Sequence, residues 1–328
     1  MIFFIFVIDF IDMTFVQLNY ILAIEQYQSF QKASEASFVT QPTLSMQVKK
    51  LEEELEVIIF DRSIHPVQPT TEGKLILDRA RDIIRQHDEL MDTALSFQKT
   101  LVGSIRLGII PTIIPYLTYR FIPWFREKHP RVKLFIEELV TDDIVAGLRR
   151  GELDAGIMAT PVYEKGIVED ALYYEDFTAY VSPRHHLHEF DKLNSFQITT
   201  DGLWLLKDGH CFRDQIINLC HTDKNLVEKY DVEFRTDSFN SIFRLIDTEG
   251  GYTLVPKLAH SDLSQRQKHH LRYFNPPVPQ REVSLCSRKG YPRHSLLDAL
   301  KSSIKSNVPK FMQQARGEII PINEPRTA

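Results

Sequence analysis

The sequence predicts two joined architectures. An all-α domain with a hairpin lies at the N-terminus, an α/β domain follows, and one long helix runs between them. Three observations predict this. Apolar residues recur at helical spacing from Phe15 to Val57, a heptad seam runs from Ile76 to Phe97, and after Val102-Gly103 short apolar runs alternate with helical stretches. With 328 residues the chain is too long for one simple core, so two or three domains are expected. Hydrophobic residues at 43% and charged residues at 25% fit a soluble globular protein. The formal net charge is −5, so any nucleic-acid surface has to be local. Three cysteines, an odd and small number, disfavour a secreted disulfide scaffold and fit a reducing cytoplasm.

Residues 1–12, MIFFIFVIDFID, lack a basic leading segment and a small-residue cleavage site. Asp9 interrupts the apolar run, which is too short to span a bilayer. They read as an extension outside the fold, with a short apolar arm packed on the first helix as the alternative. Three short helices are expected next. FVQLNYILAIEQYQ puts Leu18, Ile21 and Leu22 on one face, and FQKASEASF places Phe30, Ala33 and Ala36 where small residues let another helix approach. The third opens at Thr40, a good N-cap, with Pro42 in its first turn and Leu44, Val48, Leu51 and Leu55 on one face. IIFDRSIHPVQPTTEG, with Pro66 and Pro69 inside, reads as a hairpin or wing. From Thr71 to about Gln98 one amphipathic helix carries Ile76, Ala80, Ile83, His87, Leu90, Ala94 and Phe97 at alternating heptad spacings, the seam of a helix that pairs with another. His87 interrupts the seam as a residue that sets register. SIRLGII, VKLFIEEL, DAGIMAT, FTAYVS, LWLLK, VEFRTD and YTLVP are then expected as strands in largely parallel sheets, enough for two small lobes.

The third helix carries the first candidate site. Opposite Leu44, Val48 and Leu51, the residues Thr43, Met46, Lys49 and Lys50 point away from the core, with Ser45 and Gln47 flanking. Short hydroxyls and amides suit base edges in a major groove, and lysines suit phosphates. Glu52, Glu53, Glu54 and Glu56 lie only at the far end of the helix, which leaves its start free for DNA. A solvated helix face is the bland alternative. Arg62 in the wing is a candidate phosphate contact, or a plain surface arginine.

The run FQKASEASFVTQPTLSMQVKKLEEELEVIIFDRS, followed by TTEGKLIL, resembles the N-terminal domain of LysR-type transcriptional regulators. The resemblance implies a winged helix-turn-helix at 13–71, a dimerising linker helix at 72–100, and a two-lobed, periplasmic-binding-protein-like effector domain at 101–318. Lobe I would take about 101–176 and 281–318, lobe II about 177–280, and 319–328 would be a tail. It places Gln41, Pro42, Thr43, Ser45 and Lys49 at the DNA surface, with Thr40, Gln47, Lys50 and Arg62 beside them. It further implies a cytoplasmic regulator rather than an enzyme, without a membrane segment or cofactor. Its expected partners are double-stranded promoter DNA, RNA polymerase and a second copy through the linker helix, with two dimers forming a homotetramer.

The second candidate site is GHCFRDQIINLC, Gly209 to Cys220, which holds two of the three cysteines. RDQIINLC reads as a short helix with Ile216, Ile217 and Cys220 partly inward, which sets Cys211 near a helix N-terminus. Helix amides, Arg213 and protonated His210 are expected to lower its pKa and make a nucleophilic thiolate. Peroxide converts such a thiolate to sulfenic acid, which a second thiol can resolve. The two cysteines are nine positions apart, roughly 13 Å along an intact helix, whereas a disulfide needs Cα atoms within about 7 Å. A disulfide between them would require the segment to unwind. Buried inert thiols remain the plain alternative, as for Cys286 in VSLCSR. A zinc site and a cysteine–histidine hydrolase both fit the spacing poorly.

This stretch is similar to the GHC-x-RDQ-x4-C segment of the OxyR subfamily, the hydrogen-peroxide-sensing activators. The resemblance gives Cys211 the peroxidatic role and Cys220 the resolving role. Hydrogen peroxide would be the effector and a cellular dithiol reductant would reset the pair. Thr112 in LGIIPTIIPYL, Thr141, His210 and Arg281 in QREVSL would line the peroxide pocket, with Arg213 and Asp214 beside them. The chain departs from the subfamily at Asp142-Asp143, where a histidine-glutamine-like pair is expected; two acids there are expected to raise the thiol pKa. A LysR-type regulator that binds a small organic effector between its lobes is the alternative reading, and a thiol peroxidase or solute-binding protein leaves the helix-turn-helix unused.

Overall fold

A computed structural model describes residues 13–96, 101–220 and 234–322. Readings that fall on residues 1–12, on Phe97 and the linker as far as 100, and on 323–328 lie outside the described residues. The chain divides into two compact units, Met1–Ala94 and Leu95–Ala328.

The N-terminal unit starts with three capped helices. α1 (Phe15–Tyr27) opens with a reciprocal cap between Thr14 and Gln17. In α2 (Phe30–Ala36) and α3 (Gln41–Leu55) the side chains of Ser29 and Thr40 accept the third amide of the helix. Leu18, Ile21, Ile24, Ala33, Leu44, Val48 and Leu51 form the core between them. One expectation is corrected: α2 turns Ala33 and Ser34 inward and leaves Ala36 exposed. Ser34 fits there because its hydroxyl donates to the Gln31 carbonyl at 2.7 Å, so no polar group is left unpaired.

The wing is a minimal hairpin, β1 (Phe60–Asp61) against β2 (Gln68–Pro69). One carboxylate of α3 anchors it. Glu52 accepts the amides of Ile59 at 2.8 Å and Phe60 at 3.2 Å, and its second oxygen binds Arg62 at 2.8 Å. Thr70 closes the base, donating to the Ile58 carbonyl at 2.7 Å and accepting the Gly73 amide at 2.8 Å.

α4 (Thr71–Ser96) follows as one continuous helix. Its seam serves two purposes, where a single one was expected. Leu77 and Ala80 are buried in the core of the unit, Ile76 and Ile84 pack against it, and His87 packs tilted on Phe15 with ring centroids 4.4 Å apart. Ile83, Leu90 and Ala94 stay exposed, with Leu90 at 68%. The proximal part of the helix therefore belongs to its own domain, and the open apolar stripe lies farther along.

The second unit is an α/β domain. In chain order it contains β3 (Gly103–Ile109), α5 (Ile114–Lys128), β4 (Val132–Glu138), α6 (Thr141–Arg150), β5 (Ala155–Thr160), β6 (Ile167–Val181) and β7 (Lys192–Leu193). It continues with α7 (Cys211–Leu219), α8 (Phe239–Glu249), β8 (Tyr252–Pro256), α9 (Gln265–Lys268), β9 (Leu271–Phe274), β10 (Pro279–Arg288), α10 (His294–Asn307) and β11 (Glu318–Ile319). The strand order is β4-β3-β5-β10-β6-β9-β7, with β8 on β6 and β11 on β10. β3 runs parallel to β4 and β5, as crossovers through α5 and α6 require. β6 serves two sheets: residues 167–176 pair with β10, and residues 177–181 pair with β8 and β9. The two lobes are built around that shared strand.

Four sequence expectations are corrected here. The sheet is mixed, because β10 runs antiparallel to both β5 and β6. LWLLK forms no strand: Leu203 makes one isolated bridge to Tyr252, while Leu203, Leu205 and Leu206 are buried as irregular chain. VEFRTD forms none within its described residues. An apolar run without a period of two marks burial alone. Residues 319–322, assigned to a tail, are packed instead; Ile319 pairs with Gln280 of β10, and Ile320 and Ile322 are each 5% exposed.

Gly73 gives a direct test of the N-terminal unit. A Cβ there would lie 2.0 Å from the Ile59 carbonyl oxygen, a backbone atom fixed by the Thr70 amide at 2.9 Å. Gly73→Ala is expected to cost ~2 kcal/mol or more in the unfolding of the N-terminal unit, read by chemical denaturation.

Candidate functional site

Cys211 is the first residue of α7. Gly209, at φ 90°, turns the chain into His210, and the helix starts at the thiol. Phe212 fixes the helix from below: it is fully buried, 5.0 Å from Phe177 and 5.6 Å from Phe239 between ring centroids. Ile216 and Leu219 continue the buried face, and Ile217 is half-buried. Cys220 caps the far end, its amide bonded to the Ile216 carbonyl at 3.0 Å. Both thiols are free, at 3% and 9% exposure, and the nine-residue helix between them is intact.

Thr112, Thr141, His210 and Cys211 line one small recess together with Ile110, Pro111, Val140 and Gly209; its volume of about 140 Å³ includes space open to solvent. Thr112 comes from the turn after β3 and Thr141 from the first residue of α6, so three elements meet at the thiol. The Thr141 hydroxyl oxygen is buried and has no hydrogen-bond partner among the described residues, yet it lies near enough to favour the Cys211 thiolate. A hydroxyl can both donate and accept, which suits a small molecule carrying O–H groups.

Arg281 stands behind this pocket. Its side chain is fully buried on β10, with Nη1 donating to Thr112 Oγ1 at 3.0 Å and Nη2 to the Thr112 carbonyl at 3.2 Å. Its Nε donates to Glu175 at 2.8 Å, and the guanidinium lies 5.0 Å over the Phe212 ring. Glu175, equally buried, accepts the Leu258 amide at 3.1 Å through its other oxygen. Arg281 therefore positions Thr112 and acts on the sulfur through space.

The electrostatics correct the expected picture of the thiol. Burial pushes the Cys211 thiol up, opposed by the Arg281 charge, then by Thr141 and the Ala159 backbone, while Asp214 raises it further. Arg213 does not face the sulfur: it bonds Asp208 at 2.9 Å and the Leu206 carbonyl at 3.3 Å. Nor does it hydrogen-bond Asp214, its neighbour in sequence. His210 is turned to Asp237 at 2.5 Å, and Asp237 is held by Lys207 at 2.9 Å. Asp142 and Asp143 are exposed, and Asp142 acts on Asp214 rather than on the thiol. Burial and the neighbouring acids hold Asp214 above the usual carboxylate range, against the charge of Arg213. Cys220 is pushed up to about 12 by burial, and Cys286 is raised well above its ordinary value by burial first.

Glu175 and Asp237 were missed in the sequence. Glu175 had a usable signal, since a lone acid at an inward position of an apolar strand needs a buried cation. Asp237 had none, because only the fold brings it to His210. Among the described residues no His, Cys, Asp and Glu side chains cluster as metal ligands would.

The other candidate surface lies on α3. Gln41, Pro42, Thr43, Lys49 and Lys50 are exposed, and Ser45 and Gln47 are half-buried. Lys49 reaches the exposed Glu53 at 3.5 Å and Lys50 the half-buried Glu54 at 3.4 Å, helix pairs worth a few tenths of a kcal/mol that a phosphate can displace. Thr40 has a structural job as the cap of α3, bonding the Thr43 amide at 3.4 Å and its hydroxyl at 2.9 Å. Arg62 is also engaged, by Glu52 at 2.8 Å, Ser45 at 3.4 Å and the Phe30 ring at 4.9 Å.

Residues 15–74 match the model of the bacterial regulatory helix-turn-helix proteins of the lysR family, and residues 98–309 match that of the LysR substrate binding domain. A protein of Haemophilus influenzae named hydrogen peroxide-inducible genes activator is 29% identical over 297 residues, which cover 90% of this chain and 97% of that one. Among solved structures, a full-length OxyR variant from Pseudomonas aeruginosa aligns at 32% identity and a TM-score of 0.77, over 93% of this chain and 99% of the other. A peroxide-bound OxyR mutant from Corynebacterium glutamicum aligns at 26% identity and a TM-score of 0.58, over 90% and 92%. Among the described residues no helix is long and apolar enough to cross a membrane. Both family models and a near full-length structural match converge, and the chain belongs to the LysR family of DNA-binding transcriptional regulators, in its OxyR branch.

Proposed function

We propose that this regulator senses hydrogen peroxide through Cys211 and converts the signal into a Cys211–Cys220 disulfide. One observation carries the reading. The Cys211 thiol lines a small recess that it shares with the hydroxyl-bearing Thr112 and Thr141, with a second thiol at the other end of the same helix. Peroxide held by the two threonines presents its O–O bond to the sulfur. The Cys211 thiolate forms an S–O bond, the O–O bond breaks, and hydroxide leaves and takes a proton. Cys220 then gives up its proton, its sulfur displaces the sulfenic oxygen as water, and the disulfide closes. Two thiols lose two electrons and one peroxide becomes two waters. A cellular dithiol reverses the change by exchange.

The ends of an intact α7 are too far apart for an S–S bond, so closure requires the helix to refold. Refolding alters the effector domain, which changes how the winged helices sit on promoter DNA and engage RNA polymerase. Gln41, Pro42, Thr43, Ser45, Gln47, Lys49 and Lys50 supply the groove face; Thr40 caps the helix and Arg62 braces it beside the phosphates. The open stripe of α4 supplies the dimer contact in a cytoplasmic homodimer or homotetramer, with half-sites spaced by whole helical turns.

Mapping disulfides by mass spectrometry after stoichiometric peroxide tests the reading. The reduced protein is expected to form Cys211–Cys220 and shift its DNA footprint, and Cys211→Ser is expected to do neither. An unchanged footprint and no such linkage would sink it. Burial holds the thiol above its ordinary range, so the thiolate is the minority form near neutrality. Cys211 oxidation should therefore quicken with pH, about tenfold per unit while pH stays below the thiol pKa; a rate flat from about pH 7 to about pH 9 would contradict this. Leu90→Glu places a charge in the exposed stripe and should shift sedimentation from dimer toward monomer without changing peroxide oxidation of Cys211.

A further inference from the structure

The helix that separates the two cysteines carries two amide side chains, and both are committed to the C-terminal end of the described chain. Gln215 is fully buried, and its Nε2 donates to the Ile320 carbonyl at 2.7 Å. Asn218 donates through Nδ2 to the carbonyls of Pro321 and Ile322, at 2.9 Å each. These acceptors belong to a strap, residues 316–322, which is itself fastened to β10. The amides of Arg316 and Gly317 donate to Gln280 Oε1 at 2.9 Å. The amides of Glu318 and Ile320 donate to the carbonyls of Val278 and Gln280 at 2.9 Å. The fit is close: a Cβ on Gly317 would lie 2.0 Å from the Val278 oxygen. Ile320 and Ile322 are buried in the domain core. The residue after Gln280 is Arg281, which holds Thr112, so one strand carries both the pocket and the strap.

We infer that the strap is a brake on the resolving step. Gln215 and Asn218 act as positioning residues that hold α7 helical, and they release residues 320–322 before Cys220 can reach Cys211. The inference rests on the peroxide-sensing reading above. Attack on peroxide needs only the pocket and an intact helix, whereas closure of the disulfide needs the helix unwound. Three donated hydrogen bonds oppose the second step and leave the first untouched. Both side chains donate through their amide nitrogens here, and Gln215 Oε1 has no partner among the described residues. An acid in place of either amide would lose the donor and set a carboxylate oxygen against a carbonyl.

Asn218→Asp is nearly isosteric at a half-buried site and tests this. After mixing with excess peroxide and acid quenching, disulfide closure is expected to speed up by roughly fivefold or more. Sulfenic acid formation at Cys211, trapped with dimedone in a Cys220→Ser background, is expected to keep its rate. A chain ending at Gly317 should also close faster, and adding Asn218→Asp to it should bring no further gain, because the acceptors are gone. Closure at the parent rate in both variants overturns the inference. So does additivity of the two changes, or acceleration of both chemical steps together. If the parent protein forms no Cys211–Cys220 disulfide, the peroxide-sensing reading fails and the brake with it; closure that ignores the strap refutes the brake alone.

Discussion

The effector domain depends on one buried ion pair, Arg281 with Glu175. Both side chains are withdrawn from water, a large desolvation cost that only close geometry and further hydrogen bonds can offset. Here the geometry is complete. Glu175 receives the guanidinium on one oxygen and the Leu258 amide on the other, while Arg281 gives two further hydrogen bonds to Thr112. The pair ties β10 and β6 to the turn after β3 and to the segment after β8. Losing either partner would strand a charge in the core, at a cost of about 3–5 kcal/mol. The pair also supplies the cation nearest in effect to Cys211, so its structural and electrostatic roles cannot be separated.

Competing influences set the state of the sulfur. Burial favours the neutral thiol, Asp214 reinforces that, and Arg281 with Thr141 pulls the other way. Burial wins in the reduced protein. On the proposed reading this guards the sulfur: the thiol is inert toward most encounters, and the minority thiolate meets only what the pocket admits. The opposition between Arg281 and Asp214 is then the natural place for reactivity to be tuned.

Local structure was legible in the sequence because its signals are local. Thr40 before QPTLS marks a cap, Leu44-Val48-Leu51 marks a face, and GHC before RDQ marks a helix start; all three appear as read. The motif also brought Thr112, Thr141, His210 and Cys211 to one pocket. What failed depends on distance in space. Arg213 and His210 sit beside Cys211 in sequence but spend their polar groups on Asp208 and Asp237. Glu175, far away in sequence and unforeseen, holds Arg281, which the resemblance had already placed at the site. LWLLK was read as a strand because an apolar run reports burial and not pairing. The α4 seam was read as one stripe because periodicity cannot say which stretch the chain's own domain uses.

The burial of the sulfur has a consequence for what such a regulator can notice. The recess at the thiol is shallow, and its roughly 140 Å³ includes space open to solvent. Cys211 itself is only 3% exposed there. A tripeptide disulfide such as oxidised glutathione is too bulky to reach a sulfur so covered, however abundant it becomes. On the proposed reading the protein works as a sieve ahead of a reaction. Selectivity is decided by access to the sulfur, before any difference in chemical potency among oxidants is felt. The cell's general thiol balance would then act on this regulator only after α7 has opened, through the path that resets it.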